Sequence, residues 1–298
     1  MSDLSVMFGR PPRAAAVDDR FELEEAALEE LGLESYPVPL DPIVLGDVER
    51  ALRRLPSPDG RAWLYRGWML REEEYAALHE AVADRGEELV VDPESFAEAT
   101  YAPRYLPRLG DRTAPARWTE DEDVAAAWEL AQELGPPPWI VKDWVKSAKE
   151  DWLGACFVPA GADFLAFSTI CERLLDLRGD AFETGFVIKK HLELATLPGW
   201  TADRRRVTDE HRLVFWEGEL VAHAPYLDVD SALDDPGRFA PLGRLVESPF
   251  FTADVARLAA GGWTVIEIND GGSSTFPEQL DPRDVYRAVA ASFGFGGK

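Results

Sequence analysis

Lysine is scarce in this sequence: six of its 31 basic residues, the rest being arginine. Cysteine is scarcer. Cys156 and Cys171 are too few for a disulfide framework or a zinc site, and they read as buried or idle thiols. No run approaches the roughly 18 apolar residues of a membrane span. The opening MSDLSVMFGRPPRAAAVDDR lacks the apolar centre of a signal peptide, so a cytoplasmic location is expected. Positive charge is short overall, with a formal net charge of −24. Such a field repels nucleic-acid phosphates and anionic lipid surfaces, which excludes both as expected partners. No G-x-x-x-x-G-K loop, G-x-S-x-G elbow or H-E-x-x-H pair occurs. The four histidines (His79, His191, His211, His223) have no zinc-ligand spacing, so P-loop, hydrolase and zinc chemistry lack support.

What is present suits a globular chain. Hydrophobic residues make up 46% of 298, with ten Trp and fifteen Phe, and that length implies about two domains or three subdomains. In the first part, FELEEAALEELG, GDVERALRRL and REEEYAALHEAVADRG have helical periodicity, while SYPVPL, AWLYRGWML and EELVVDP read as strands. Alternation of this kind predicts a small α/β domain with a mostly parallel sheet. APRYLPRLGDRTAPARW, rich in Pro and Arg, reads as a connection, and a boundary is placed near Trp118. Beyond it come the helix TEDEDVAAAWELAQELG, the strand WIVKDWV, a charged loop, the helix FSTICERLLDLRG, the strand GFVIKKHLEL, hairpins, and a closing helix with Asp281 and Pro282 at its start. That mixture is α+β.

The −24 field repels phosphorylated ligands too, so a site for one must gather positive charge locally. All the internal lysines (Lys142, Lys146, Lys149, Lys189, Lys190) fall within one stretch of about fifty positions. Lys142 lies in a strand with Ile140 and Trp144 on its face, which partly buries its stem and suits a phosphate contact. Lys146 and Lys149 follow in the loop, at a spacing that equally fits a solvated helix face.

PFFTADVARLAAGGWTVIEINDGG reads as a hairpin. A two-residue loop at Ala260–Gly261 sets Asp254 opposite Glu267 and puts Asn269 on the face of Glu267. Opposed carboxylates repel unless a cation sits between them, and two carboxylates with an amide oxygen suit Mg²⁺. A solvated strand face whose acids never meet has the same pattern. In TDEHRLVFWEGELVAHA a turn at Glu217–Gly218 puts Arg212 opposite His223, with Glu210 on the face of Arg212. This row fits either an anion site or a surface ion pair.

Taken in order, IVKDWV, FVIKKHLEL, EHRLVFWEGELVA and ADVARLAAGGWTVIEIND resemble the ATP-grasp superfamily over roughly residues 110 to 280. VKDWVKSAKEDW, with LYRGWML upstream, further resembles a divergent bacterial clade of carboxylate–amine ligase-like proteins. The resemblance implies an ATP-grasp fold, two α+β subdomains clasping ATP (about 119–195 and 196–298), preceded by a small α/β N-terminal domain (1–118). It implies Asp254, Glu267 and Asn269 as magnesium ligands. It also implies Lys142, Lys146, Lys149, Lys189 and Glu193 around ATP, with Arg212 and Lys146 at the transferring phosphoryl group. The activity implied is Mg²⁺- and ATP-dependent activation of a carboxylate for attack by an amine; a small-molecule kinase or a non-catalytic nucleotide-binding module would share these residues. The family's glycine-rich loop is replaced here by KSAKEDW, its hinge acids by Lys189 and Lys190, and its upstream lysine by Arg112. Arg66 reads as a carboxylate clamp or a structural ion pair, and the loop NDGGSS as an acceptor loop or a plain turn.

Overall fold

The structure is a computed structural model that describes residues 4–11, 18–201 and 204–294; Lys298 lies outside them. Its contacts divide the chain into two units. One comprises Met1–Ala99, His211–Ala253 and Ile268–Lys298, the other Thr100–Glu210 and Asp254–Glu267.

In the first unit, β1 (Leu4–Arg10), β2 (Glu34–Pro39), β3 (Ala62–Arg66) and β4 (Glu88–Leu89) form a parallel sheet in the order β2-β1-β3-β4. The helices Glu22–Leu31 and Glu72–Asp84 alternate with these strands, as expected from the apolar spacing. Gly32, at φ 71°, ends the first helix in the left-handed conformation that glycine adopts without strain. The strand β1 was not anticipated. Buried from Leu4 to Gly9, it shows no two-residue alternation, because an inner parallel strand is covered on both faces. Val6, Phe8, Leu28, Trp63, Leu64, Val285 and Tyr286 belong to this unit's core.

In the second unit, β5 (Ala116–Trp118), β6 (Trp139–Asp143), β7 (Phe157–Val158) and β8 (Phe186–Lys190) form an antiparallel sheet in the order β5-β8-β6-β7. Trp139, Val141, Phe167, Leu174 and Ile188 lie in its core. β9 (Thr196–Trp200) and β10 (Arg206–Thr208) pair as a separate hairpin. The segment expected as a connection contains a helix, Ala102–Leu109. Ala102, Tyr105, Leu106 and Leu109 are buried at helical spacing, and Pro103 falls in the first turn, where its missing N–H costs nothing. Composition pointed to a loop and the apolar period prevailed.

A third sheet, in the order β12-β11-β13-β14, contains β11 (Glu210–Trp216), β12 (Glu219–Pro225), β13 (Phe250–Arg257) and β14 (Trp263–Asp270). The turn between β11 and β12 falls at Glu217–Gly218 as expected, with φ of 50° and 78°. Its register differs from the expectation. Phe215 pairs with Leu220 but Val214 with Ala222, so Val221 is an extra residue in β12. This bulge puts Arg212 opposite Ala224, and His223 opposite Leu213. Among the described residues no helix is long and apolar enough to cross a membrane.

Candidate functional site

Within the second unit, β6 is an inner strand between β7 and β8. Lys142 pairs with Val187 and Ile140 with Lys189, so both lysines emerge on one face as diagonal neighbours. Lys142 is 8% exposed. The Lys189 amine donates to the Ile266 carbonyl (2.6 Å) and the Thr113 hydroxyl (3.2 Å), and that hydroxyl donates to Val265 O (2.8 Å). Burial lowers the pKa of Lys189 to about 8; adjacent Lys142 adds to the effect and Glu267 opposes it. Lys189 thus grips β14 one residue before Glu267.

Glu267 meets two lysines. Lys142 Nζ is 3.4 Å from Oε2 and Lys149 Nζ is 3.9 Å from Oε1. The turn between β13 and β14 differs by one residue from the count. Leu258 N–H donates to Gly262 O (3.0 Å) and Gly261 N–H to Leu258 O (2.9 Å), enclosing three loop residues rather than two. The opposition of Asp254 and Glu267 therefore does not follow from the turn. Both acids act instead on Glu210, which accepts a hydrogen bond from Thr208. Burial raises the Glu210 pKa, the Thr208 bond and Lys149 lower it, and Asp254 and Glu267 both push it up. Lys142, Lys149, Lys189, Glu210, Asp254 and Glu267 thus form a group of three ammonium and three carboxylate side chains within this unit.

Sequence reasoning gave Glu210 no ligand role and overlooked Asp143. The Asp143 carboxylate accepts from the Val145 and Lys146 amides and from Arg178 (2.7 Å), which shapes the loop immediately after Lys142. An Asp bonded to amides two and three residues on is a turn signal legible in sequence. Lys146 is exposed at the head of that loop, and Glu193 is exposed after β8, where its charge acts on His191. Arg112 is half-exposed beside Asp111 (3.8 Å).

In the first unit, Arg212 is 7% exposed. It donates to Thr275 O (2.8 Å), and its guanidinium lies 4.8 Å from the Tyr226 ring. The half-buried Asn269 keeps its amide nitrogen without a hydrogen-bond partner. Arg66 is fully buried. It pairs with Glu24 through two nitrogens and donates to the carbonyls of Gly271 and Ser274, and Gly67 N–H donates to Gly272 O (2.9 Å). Arg66 is therefore the structural ion pair of the two alternatives, and it holds the NDGGSS loop. Gly272 lets that loop pass close to β3, since a Cβ there would meet Tyr65 O at 2.8 Å.

Asp270 in this loop is buried, with Oδ1 lacking a partner and Oδ2 accepting from Ser273 N–H (2.8 Å). Burial pushes its pKa up to about 6, against hydrogen bonds from the Gly272 and Ser273 amides. Because the folded value exceeds the unfolded one, the stabilising share of its proton is present below about pH 4 and lost as pH rises through about 6. Asp270→Asn should therefore stabilise the protein at pH 7 by up to about 3 kcal/mol, with no gain near pH 4. Urea midpoints at the two pH values check this.

These donors suit a magnesium–nucleotide pair. Asp254 and Glu267 make Glu210 costlier to ionise, which a divalent cation would relieve, and the lysines offer charge to phosphate. Among the described residues no group of three or more His, Cys, Asp or Glu is arranged to hold a metal. Asp254 and Glu267 would therefore need an amide oxygen, water or phosphate oxygens beside them, as Mg²⁺ commonly takes.

The family model described as an ATP-grasp domain, family 3 of its clade, matches residues 133–289. The chain belongs to this family. A sequence comparison with curated proteins finds no match. Among solved structures, D-cycloserine synthetase DcsG superposes with a TM-score of 0.65 at 15% identity, covering 98% of this chain and 99% of that one. The ATP-grasp ligase PsnB, complexed with minimal precursor, Mg and ADP, gives 0.56 at 15% identity over 99% and 100%. A RimK domain ATP-grasp protein from Sphaerobacter thermophilus gives 0.57 at 15% over 98% and 97%. At such identities these likenesses establish the α+β ATP-grasp fold.

Proposed function

We propose that this ATP-grasp protein is a Mg²⁺- and ATP-dependent carboxylate–amine ligase acting in the cytoplasm, with small-molecule or peptide substrates. The observation that carries the reading is the gathering of three of the chain's five internal lysines, Lys142, Lys149 and Lys189, around Glu267 and Glu210 in one unit that also contains Asp254. Bound Mg²⁺-ATP would supply a γ-phosphoryl group for the substrate carboxylate; attack by an amine on the resulting acylphosphate releases phosphate and forms the amide.

The chain's own residues bind and orient. Lys142, from an inner strand, and Lys146 and Lys149, from the loop shaped by Asp143, offer charge to the phosphates. Asp254, Glu267 and the Asn269 amide oxygen would hold Mg²⁺. Lys189 adds positive potential and holds the Glu267 strand in place. Glu193 is the candidate for the ribose hydroxyls, and Arg212 for charge on the transferring group. Catalysis of this kind is mainly positioning and electrostatics. The segments 1–118 and 119–298 serve in this proposal as the N-terminal and ATP-grasp domains.

ATP should raise the melting temperature only with Mg²⁺ present, since a ligand stabilises by mass action; equal shifts with and without metal would count against the joint site. Lys142→Ala should weaken Mg²⁺-ADP binding by about 10-fold or more, and Lys146→Ala less, because only Lys142 is held within a sheet. Calorimetric titration of both variants checks the order. Screening carboxylates with amines for ADP and phosphate release then tests the ligase step, and phosphate retained on the product would identify a kinase instead.

A further inference from the structure

Glu267 has a lysine at each oxygen, and the two lysines are held very differently. Lys142 is fixed in β6 with 10% of its side chain exposed. Lys149 has 47% of its side chain exposed and begins a short 3₁₀ turn, Lys149–Asp151, outside any sheet. The Lys149 charge also acts on Glu210, which feels Asp254 and Glu267 as well. One exposed ammonium thus serves Glu267, a carboxylate proposed for Mg²⁺, and acts on Glu210 as well, while its loop is proposed for phosphate.

We propose that Lys149 is a displaceable counter-ion that couples metal binding to nucleotide binding. Without nucleotide it neutralises Glu267 and Glu210, so Mg²⁺ must compete with it. A nucleotide phosphate offers the same ammonium another anion, which frees Glu267 for the metal. Each ligand then strengthens the other by one common factor, since coupling between two sites is reciprocal. Lys142, tied into the sheet, stays in place. This inference rests on the nucleotide reading of the site given above.

The test uses the full chain, with Mg²⁺ and ADP as probes. Calorimetry measures Mg²⁺ affinity with and without ADP for the wild type, Lys149→Gln, Lys149→Arg and Lys146→Gln. In Lys149→Gln, Mg²⁺ alone should bind about 5-fold tighter or more, and the factor by which ADP strengthens Mg²⁺ should fall correspondingly. Lys149→Arg, which keeps the charge, should restore the coupling. Lys146→Gln removes the same charge from the same loop and should change Mg²⁺ affinity less. Unchanged Mg²⁺ affinity in Lys149→Gln, or equal changes in the two Gln variants, overturns the proposal, the latter because general screening then accounts for the effect. If the wild type binds no Mg²⁺-ADP at all, the nucleotide reading itself falls. That result is distinct from a wild type that binds Mg²⁺-ADP while Lys149→Gln behaves identically.

Discussion

Glu267→Gln should lower turnover by about 100-fold or more, because it removes an anionic ligand from the proposed magnesium site and leaves the shape unchanged. Its effect on the metal-free protein separates two pictures of the site. Asp254 and Glu267 taken alone are a like-charge pair, so the amide would relieve repulsion and stabilise the fold. The structure puts Lys142 and Lys149 against Glu267, 3.4 and 3.9 Å away. Losing that charge leaves the mostly buried Lys142 without its anion, an effect that exceeds the relief felt by the other acids. The urea midpoint without metal should therefore fall, by about 1 kcal/mol of stability. ADP formation with a competent substrate pair, Mg²⁺-ADP calorimetry and urea titration together check this. A variant that binds Mg²⁺-ADP and turns over as the wild type does would falsify the metal assignment, and a midpoint that rises would contradict the lysine pairing.

Arg66→Leu should be among the most damaging single changes to the fold. Arg66 is fully buried, pairs with Glu24, donates to Gly271 and Ser274 carbonyls, and lies 4.4 Å over the Phe276 ring. Glu24 also accepts from the Tyr286 hydroxyl (2.6 Å). Removing the guanidinium strands a buried carboxylate and two loop carbonyls, a loss of about 3–5 kcal/mol. That is a large fraction of an ordinary folding stability of roughly 5–15 kcal/mol. Removing both charges, as in Arg66→Leu with Glu24→Leu, should recover part of it, since no isolated ion then remains. Urea midpoints of the single and double variants measure the difference. A single variant within about 0.5 kcal/mol of the wild type, the range of an ordinary surface change, would show that the pair anchors nothing.

Several elements were legible because their signals are local. The Asp281–Pro282 helix start, the Glu217–Gly218 turn and the alternating helices and strands of the first part each depend on a few neighbouring residues. The scarcity and clustering of lysine pointed to the candidate site as directly, because charge placed against a net of −24 stands out in sequence. Register was not legible. The extra Val221 in β12 and the three-residue loop after Leu258 each shift the pairing by one, and no short window distinguishes a bulge from a regular strand.

The sequence by itself determined most of the helices and strands, though not β1 or the helix Ala102–Leu109, and where lysine gathers along the chain. Only the tertiary structure decided what each charge answers to. Lys142 and Glu267 are 125 residues apart in the chain, and Arg66 is 205 from Gly271. A strand lysine reads the same in sequence whether its anion is a phosphate or a carboxylate of its own chain. The choice is made by folding, because an ion taken out of water must find a partner within a few ångströms, wherever in the chain that partner lies.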